Sequence, residues 1–403
     1  MKRRHAKGMK ISVIGTGVQG SAIASILAKT PDVSEIVCSD INLARTRRVV
    51  ENLRSDKVSA QRVDASNVDD LLRVLKGSDA VINATLPRFN LNIMSAALKS
   101  GAYYVDLATD FPETLLPKEF ALSAEWEKVG LTAVINQGGP FVMNVFARYA
   151  ADQLDRVDEI RLRFGWKSPP SEELVPTWSP IWCPEIALIE WTSEPAIYEN
   201  GKFKRVPTFS GIEEYPFPYP VGPLKLCFID YEPVWTLPRF IGKGIKYVDC
   251  KIPPDTMAGA LIKMGFASGE SVQIKGVKVA PRDVLLALTP PPSEVDYSRR
   301  IPQSEEDMLG CYLVEVRGER ADQKLVHTIY TTISAREAIK KYGTFWARVA
   351  VPAVITATML ARGEVKRKGV IPPEGLEPKP FIARLAEWGM TFQETIAREI
   401  RPA

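Results

Sequence analysis

The chain has 403 residues, of which 45% are hydrophobic and 25% charged, so it can bury a sizeable core, and at about 150 residues per domain it predicts two or three domains. Its 52 Lys and Arg against 48 Asp and Glu leave a net charge of only +4, which argues against a nucleic-acid partner. Two His and five scattered Cys without a C-x-x-C pair argue against a metal site and a disulfide framework, and favour a reducing, cytoplasmic location. No apolar stretch reaches the ~20 residues of a membrane span, and the basic residues 1–10 predict a solvated tail rather than a signal peptide.

Residues 9–154 predict a dinucleotide-binding domain, because short apolar runs alternate with amphipathic stretches. Six strands are predicted, at residues 11–14, 36–39, 58–61, 80–83, 103–106 and 132–136. The intervening helices are predicted at residues 21–29, 43–53, 68–75, 91–99 and 118–129. Right-handed crossovers between parallel strands give the doubly wound α/β sheet of a Rossmann domain.

The pattern changes after residue 154. Residues 159–166 alternate apolar and polar side chains, and Asn200-Gly201 marks a hairpin turn, as expected of a second, α+β domain at residues 155–340 built on an antiparallel sheet. Residues 310–317 and 325–334 add two more alternating strands. Residues 345–361 form a long apolar stretch, so we expect residues 341–403 to be a helical segment that packs back on the first domain.

A glycine-rich motif follows the first predicted strand and opens the first helix. Its three glycines read G-x-G-x-x-G, in which the first permits a tight turn, the second lets the backbone approach a pyrophosphate, and the third lets helix and strand pack closely. This context favours a bound dinucleotide over a turn without a ligand. The expected pyrophosphate-binding residues are Gly15, Thr16, Gly17, Val18 and Gly20.

Asp40 determines which cofactor the sequence favours. A carboxylate at the end of the second strand accepts from a ribose 2′-hydroxyl and repels a 2′-phosphate, so NAD is expected, with NADP as the alternative. We interpret the following helix face, with Arg45, Arg47 and Arg48, as solvated. Contact of these side chains with a 2′-phosphate is the alternative. Ligands lie outside the carboxyl ends of parallel strands, so we expect further cofactor contacts there. These are Ile41, Asp64, Ala65, Ala84, Thr85 and Leu86.

Four segments together resemble the saccharopine dehydrogenase family, most closely its lysine 6-dehydrogenase-like branch. They are the glycine motif GTGVQG at residues 15–20, YVDLA at 104–108, NQGGP at 136–140 leading to Asn144, and GVIPPE at 369–374. The resemblance covers nearly the whole chain. It implies a homodimeric, nicotinamide-dependent enzyme that acts on a C–N bond of an amino acid or polyamine-like substrate.

The resemblance also implies where substrate would bind. Those positions are Gly139, Pro140, Phe141 and Asn144, with Asp106 beside them. Phe141 stands where the family has a glycine, and Met143 where the lysine dehydrogenase-like members have a serine. A bulky ring on the floor of the substrate pocket should change which substrate fits, so the substrate does not transfer from the family.

Substrate anchoring and proton transfer have several candidates. Arg239 offers a planar fork for a substrate carboxylate, although it, Lys243 and Lys246 also suit a solvated basic loop. The candidates for proton transfer are Asp106, Glu185, Glu190 and Tyr231. Spacing selects none of them; Asp106 is taken as the catalytic candidate, with a loop-capping role as the alternative.

Three functions follow from these observations. The leading one is oxidative deamination of an amino acid or related amine with NAD(P). The second, on the same fold, is reductive condensation of an amine with an aldehyde or keto acid, and the third is a protein that binds NAD without turnover. In each case we expect a small-molecule partner, no nucleic acid or membrane, and a homodimer.

Overall fold

The described part of the chain, residues 8–139, 141–167, 178–290, 292 and 308–399, divides into two units in this computed structural model. Among these residues, the first unit takes those up to 153, 239–241 and 337–391. The second takes 154–238, 242–336 and those from 392 onward. The chain therefore enters each unit more than once.

The first unit is built on a parallel sheet. Its strands are β1 (Met9–Ile14), β2 (Val33–Asp40), β3 (Val58–Arg62), β4 (Ala80–Asn83), β5 (Tyr103–Asp106), β6 (Thr132–Val134) and β17 (Gly369–Ile371). They lie in the order β17-β6-β5-β4-β1-β2-β3, and every pairing is parallel. The predicted strands and the doubly wound class are confirmed, and β17 is a strand that the sequence analysis did not identify.

Helices cover this sheet. They are α1 (Val18–Ala28), α2 (Leu43–Leu53), α3 (Val68–Leu75), α4 (Asn90–Ser100), α5 (Ser123–Lys128), α6 (Phe141–Ala151), α12 (Ala347–Ala361) and α13 (Pro378–Glu387). Asn42 and Asn67 cap α2 and α3 by accepting first-turn backbone N–H groups. Helix α12 is buried along nearly its whole length and packs on α1, β4 and β5, which explains its apolar sequence.

The second unit is built on a mixed sheet. Its strands are β7 (Arg156–Lys167), β8 (Ala196–Glu199), β9 (Lys202–Arg205), β10 (Glu213–Pro216), β11 (Pro223–Phe228), β12 (Tyr247–Ile252), β15 (Leu309–Arg320), β16 (Gln323–Ser334) and β18 (Gln393–Arg398). A separate two-stranded sheet joins β13 (Val272–Ile274) and β14 (Val277–Val279). The helices are α7 (Pro184–Thr192), α8 (Glu232–Ile241), α9 (Thr256–Lys263), α10 (Pro281–Leu288) and α11 (Ala335–Tyr342). Residues 239–241 of α8 and 337–342 of α11 belong to the first unit.

The structure corrects the expected sheet of the second unit and the last residues of the C-terminal segment. The sheet is not purely antiparallel, because β12 runs parallel to β7. The last strand, β18, pairs antiparallel with β16, so residues 392–399 lie in the second unit, whereas residues 341–391 lie in the first unit, as expected for the C-terminal helical segment. No single helix in the described part is long and apolar enough to cross a membrane; α11 and α12 pass that test only as a pair bent by 47°.

Candidate functional site

The turn after β1 requires two of its three glycines for its own geometry. Gly15 has φ +91°, and a Cβ on it would lie 2.7 Å from the Ala84 carbonyl oxygen. A Cβ on Gly20 would lie 1.8 Å from the Gly15 carbonyl oxygen. Both positions therefore exclude any side chain, because the neighbouring atoms are backbone.

Gly17 differs, because nothing in the protein requires it to be glycine. Its φ is −69°, an ordinary value, and a Cβ there would meet no atom within 4 Å. Gly17 is the N-cap of α1, where first-turn N–H groups point outward without partners in the helix, and no acidic side chain lies in that turn. The open space at a helix N-terminus fits a pyrophosphate, which a Cβ would obstruct.

Asp40 ends β2 beside this turn and is almost fully buried, with 6% of its surface exposed. Its carboxylate accepts the Thr16 N–H at 2.7 Å and the Asn42 N–H at 2.9 Å. Arg45 Nη2 lies 2.8 and 2.9 Å from the two carboxylate oxygens. Burial raises the pKa of Asp40, but the two amides and the guanidinium outweigh burial and hold its pKa below the ordinary value.

The position of Arg45 corrects the sequence analysis. Interpreting Arg45 as part of a solvated face was wrong, because its guanidinium pairs with Asp40. Arg47 and Arg48 are exposed, as that interpretation expected. The signal was present in the sequence: Asn42 caps α2, which places Arg45 in the first turn, three residues beyond the cap and within reach of Asp40.

The ends of the next strands present the remaining cofactor candidates. Ile41 exposes 54% of its surface next to Asp40, and Asp64 accepts from the Ser66 N–H and hydroxyl. The half-buried residues Ala65, Ala84, Thr85 and Leu86 lie at the carboxyl ends of β3 and β4. This is the edge of the sheet where a dinucleotide binds in such folds.

Asp106, the catalytic candidate, is buried at the end of β5. It is 1% exposed, and its Oδ1 accepts the backbone N–H of Asn136 at 2.6 Å, while its carbonyl accepts that of Gln137 at 2.8 Å. Asn136 has φ +68°, so Asp106 holds a turn with left-handed backbone. The structure thus favours the loop-holding alternative, and a catalytic role for Asp106 stays a prediction.

A buried polar network that the sequence analysis missed lies beside Asp106. Asn83 donates to Tyr104 Oη at 2.9 Å and to Asn90, and Asn90 donates to Glu119 Oε1 at 2.8 Å. Burial raises the pKa of Glu119 and, with the neighbouring Asp106 charge, that of Tyr104. This network fixes the β4 and β5 ends, where the cofactor candidates lie.

Two segments of the family resemblance meet inside the first unit. Asn144 Nδ2 donates to Glu374 Oε2 at 2.7 Å, and both residues are fully buried. Phe141 is 1% exposed and packs edge-on against Phe381, with ring centroids 6.0 Å apart. This packing gives Phe141 and Asn144 structural roles, and their substrate contacts stay predictions.

The other predicted substrate positions lie close by. Gly139 is half-buried in the loop before α6, and Pro140 lies outside the described residues. Arg239 donates to the Leu115 carbonyl and belongs to the first unit, although most of α8 belongs to the second. Lys243 donates to the Leu154 carbonyl and Lys246 pairs with Asp158 of β7, so both make contacts within the second unit.

Two of the proton-transfer candidates come together in the second unit. Burial and the charge of Glu232 raise the pKa of Glu190 well above its ordinary value. Tyr231 precedes Glu232 in the chain, and burial, together with the charges of Glu190 and Glu232, raises the pKa of its phenol as well. Glu190 and Tyr231 are separate candidates in the sequence, and no local pattern predicts their proximity or the part of Glu232.

Comparison with known proteins identifies the class of this fold and site. The family model "Saccharopine dehydrogenase NADP binding domain" matches residues 11–134, and "Saccharopine dehydrogenase C-terminal domain" matches residues 141–390. The chain belongs to the saccharopine dehydrogenase family. It is an NAD(P)-dependent oxidoreductase of that family, as the resemblance implied.

Two relatives of named function are similar over almost their whole length. Carboxyaminopropylagmatine dehydrogenase of Synechocystis sp. is 24% identical, over 96% of this chain and 98% of the relative. Carboxynorspermidine synthase of Vibrio cholerae is 25% identical, over 95% and 96%.

Solved structures share the fold. Apo saccharopine dehydrogenase (L-Glu forming) of Saccharomyces cerevisiae has a TM-score of 0.70 at 17% identity, over 97% of this chain and 100% of that one. The homospermidine synthase of Legionella pneumophila, in complex with NAD, has a TM-score of 0.68 at 13% identity, over 97% and 93%.

Proposed function

We propose that the protein joins an amine to an aldehyde or keto acid and reduces the new C=N bond with NAD(P)H. The names of the two relatives carry this proposal, because they denote carboxylated derivatives of agmatine and norspermidine, and one of them is a synthase. Oxidative deamination, the leading expectation from the sequence, uses the same fold with a different second substrate. The condensing reaction is supported at least as well and becomes the first hypothesis to test.

The reaction balances without a metal or a second cofactor. An amine and a carbonyl compound lose water to give an imine, and hydride with one proton then gives the secondary amine. NAD(P)H supplies the hydride when it is bound. The reverse reaction oxidises the secondary amine and hydrolyses the imine.

The first unit performs the binding part of this reaction. The open space at Gly17 and the first-turn amides of α1 would hold the pyrophosphate. Asp40 and Arg45 would contact the ribose that carries the 2′-substituent. Asp106 orients the turn at Asn136. This turn begins the family segment at residues 136–140, which leads into α6.

Arg45 supports use of both cofactors. The pairing with Arg45 offsets the Asp40 charge that would repel a 2′-phosphate, and the guanidinium itself is a phosphate ligand. The NAD preference expected from Asp40 alone is therefore weakened. Homodimer formation and a cytoplasmic location remain predictions.

Two assays on the purified protein test the proposal. In one, NADH or NADPH is mixed with an aliphatic diamine and an aldehyde or keto acid that carries a carboxylate; in the other, NAD or NADP is mixed with amino acids and amines alone. Cofactor oxidation that requires both the amine and the carbonyl compound, with a secondary amine detected by mass spectrometry, is the expected result. Cofactor reduction with a single amine, and ammonia release, would instead establish oxidative deamination.

A further inference from the structure

Two buried asparagines of the first unit lie at the centre of a chain of hydrogen bonds between strand ends. Asn83 is the last residue of β4 and Asn90 the first residue of α4, and each is 1% exposed. Asn83 Nδ2 donates to Asn90 Oδ1 at 2.8 Å. Buried amides are tolerated where their donors and acceptors are satisfied, so the partners at the two ends of the pair show what it holds in place.

One end of the pair holds the turn after β4. Asn83 Oδ1 accepts the Thr85 N–H at 2.9 Å and the Thr85 hydroxyl at 2.7 Å. The same turn lies against the glycine motif, because a Cβ on Gly15 would be 3.0 Å from Thr85 Cγ2. Thr85 is therefore fixed by Asn83 at a position directly beside the glycine turn.

The other end of the pair holds the segment after β5. Asn90 Nδ2 donates to the Ala108 carbonyl at 2.8 Å and to Glu119 Oε1 at 2.8 Å. Ala108 follows β5 by two residues, so the asparagine pair connects the segments that leave two neighbouring strands at the same edge of the sheet.

Backbone groups at both ends fix the orientation of the two amides. A backbone N–H can only donate and a backbone carbonyl can only accept, so Thr85 requires the oxygen of Asn83 and Ala108 requires the nitrogen of Asn90. The second N–H of Asn83 is used by Tyr104 Oη at 2.9 Å. Turning either amide over would set donor against donor and acceptor against acceptor, so the pair has one arrangement.

The strand order places this turn on one side of the cofactor site. Strands β2 and β4 flank β1 on opposite sides. The glycine turn after β1 faces the pyrophosphate, and Asp40 at the end of β2 suits the ribose of the adenosine half. We therefore expect a dinucleotide that crosses this edge to have its nicotinamide half on the β4 side, where Thr85 is half-buried.

We propose that Asn83 and Asn90 are positioning residues for the nicotinamide half of NAD(P)H and act through the turn at Thr85. Both are too deeply buried to touch the cofactor, and they determine where the turn lies relative to the segment at Ala108. The inference depends on cofactor binding at this edge of the sheet. It does not depend on which amine or carbonyl compound reacts.

Calorimetry with NADH and with ADP on the full-length protein tests this role. ADP carries the adenosine and the pyrophosphate, but it lacks the nicotinamide and its ribose. Asn83→Ala should lower NADH affinity by roughly tenfold and ADP affinity by less than about twofold. Asn90→Ala acts from one residue further away and should lower NADH affinity by roughly threefold, again with ADP affinity unchanged.

Val74→Ala is the control for a general loss of stability. Val74 is 2% exposed on α3 in the core of the same unit, and its apolar side chain takes no part in the chain of hydrogen bonds. It should lower the melting temperature without changing the ratio of NADH to ADP affinity. Equal losses for NADH and ADP in Asn83→Ala, as expected of a purely structural role, would overturn the proposal. If Asn83→Ala does not fold, the same ratio in Asn90→Ala decides.

Two variants of Thr85 separate its bond to Asn83 from its packing. Thr85→Ser keeps the hydroxyl that donates to Asn83, whereas Thr85→Val keeps the volume and removes that donor. We expect NADH affinity within about twofold of the unmodified protein for Thr85→Ser and a loss of roughly threefold or more for Thr85→Val. The opposite order would contradict a role for the asparagine bond. Neither ligand requires a second substrate, so these results and the condensation assay can fail independently.

Discussion

The two units handle buried charge differently. In the first, the buried carboxylate of Asp40 is compensated by groups close to it in the chain or in the adjoining turn: the Thr16 and Asn42 N–H groups and the Arg45 guanidinium. In the second, Arg163 and Asp249, at 1% exposure each, pair between two strands, and Glu213 of a third strand contacts the same guanidinium. The difference teaches that a buried charge can be compensated by local backbone and side chains or only by strands that are distant in the chain.

Breaking the compensated ion pair of the second unit should have the largest effect. Arg163 Nη1 lies 2.6 Å from Asp249 Oδ1, and Nε lies 2.6 Å from Glu213 Oε1. Asp249→Asn removes one of the two carboxylate charges that compensate the buried Arg163 guanidinium. It should lower the free energy of unfolding by about 3 kcal/mol, measured by urea denaturation. Glu159→Gln breaks the half-exposed pair with Arg161 and should cost less than about 1 kcal/mol. Equal effects would remove the contrast between buried and exposed pairs.

The glycine turn should separate folding from binding. Gly20→Ala drives a Cβ into the Gly15 carbonyl and should destabilise the first unit by about 1–3 kcal/mol. Gly17→Ala meets no protein atom, so the melting temperature should not change, while NAD and NADP affinity should fall roughly tenfold or more by calorimetry. If Gly17→Ala binds both cofactors normally, the pyrophosphate does not lie at this turn.

Arg45 should control the choice of cofactor, with the smallest effect of the three. Arg45→Ala leaves Asp40 charged and unpaired by a cation, so the ratio of NADP to NAD affinity should fall by roughly tenfold. Asp40→Ser should lower NAD affinity and reduce discrimination against NADP. Arg48→Ala, exposed on the same helix, is the control and should leave the ratio unchanged. A ratio that Arg45→Ala does not alter would place the ribose elsewhere.

Local patterns predicted the first unit well, because its signals are short in range. The glycine motif and the apolar runs of β1 to β6 each act within a few residues. The second unit was harder to predict, since β12 joins β7 in parallel and β18 arrives from the end of the chain. Arg163 stands at a polar position of the alternating strand β7, where the sequence predicts an exposed side chain. Only its pairing with Asp249 on another strand explains why it is buried.

The sequence by itself determined the doubly wound sheet, the glycine turn and the family, because these follow from residue order and local backbone geometry. Only the tertiary structure showed that Arg45 pairs with Asp40, that Asp106 holds a turn, and that Asn144 meets Glu374 across 230 residues. It alone brought Glu190 to Glu232. Burial and the sign of neighbouring charges decide such roles, and both depend on which distant segments fold together.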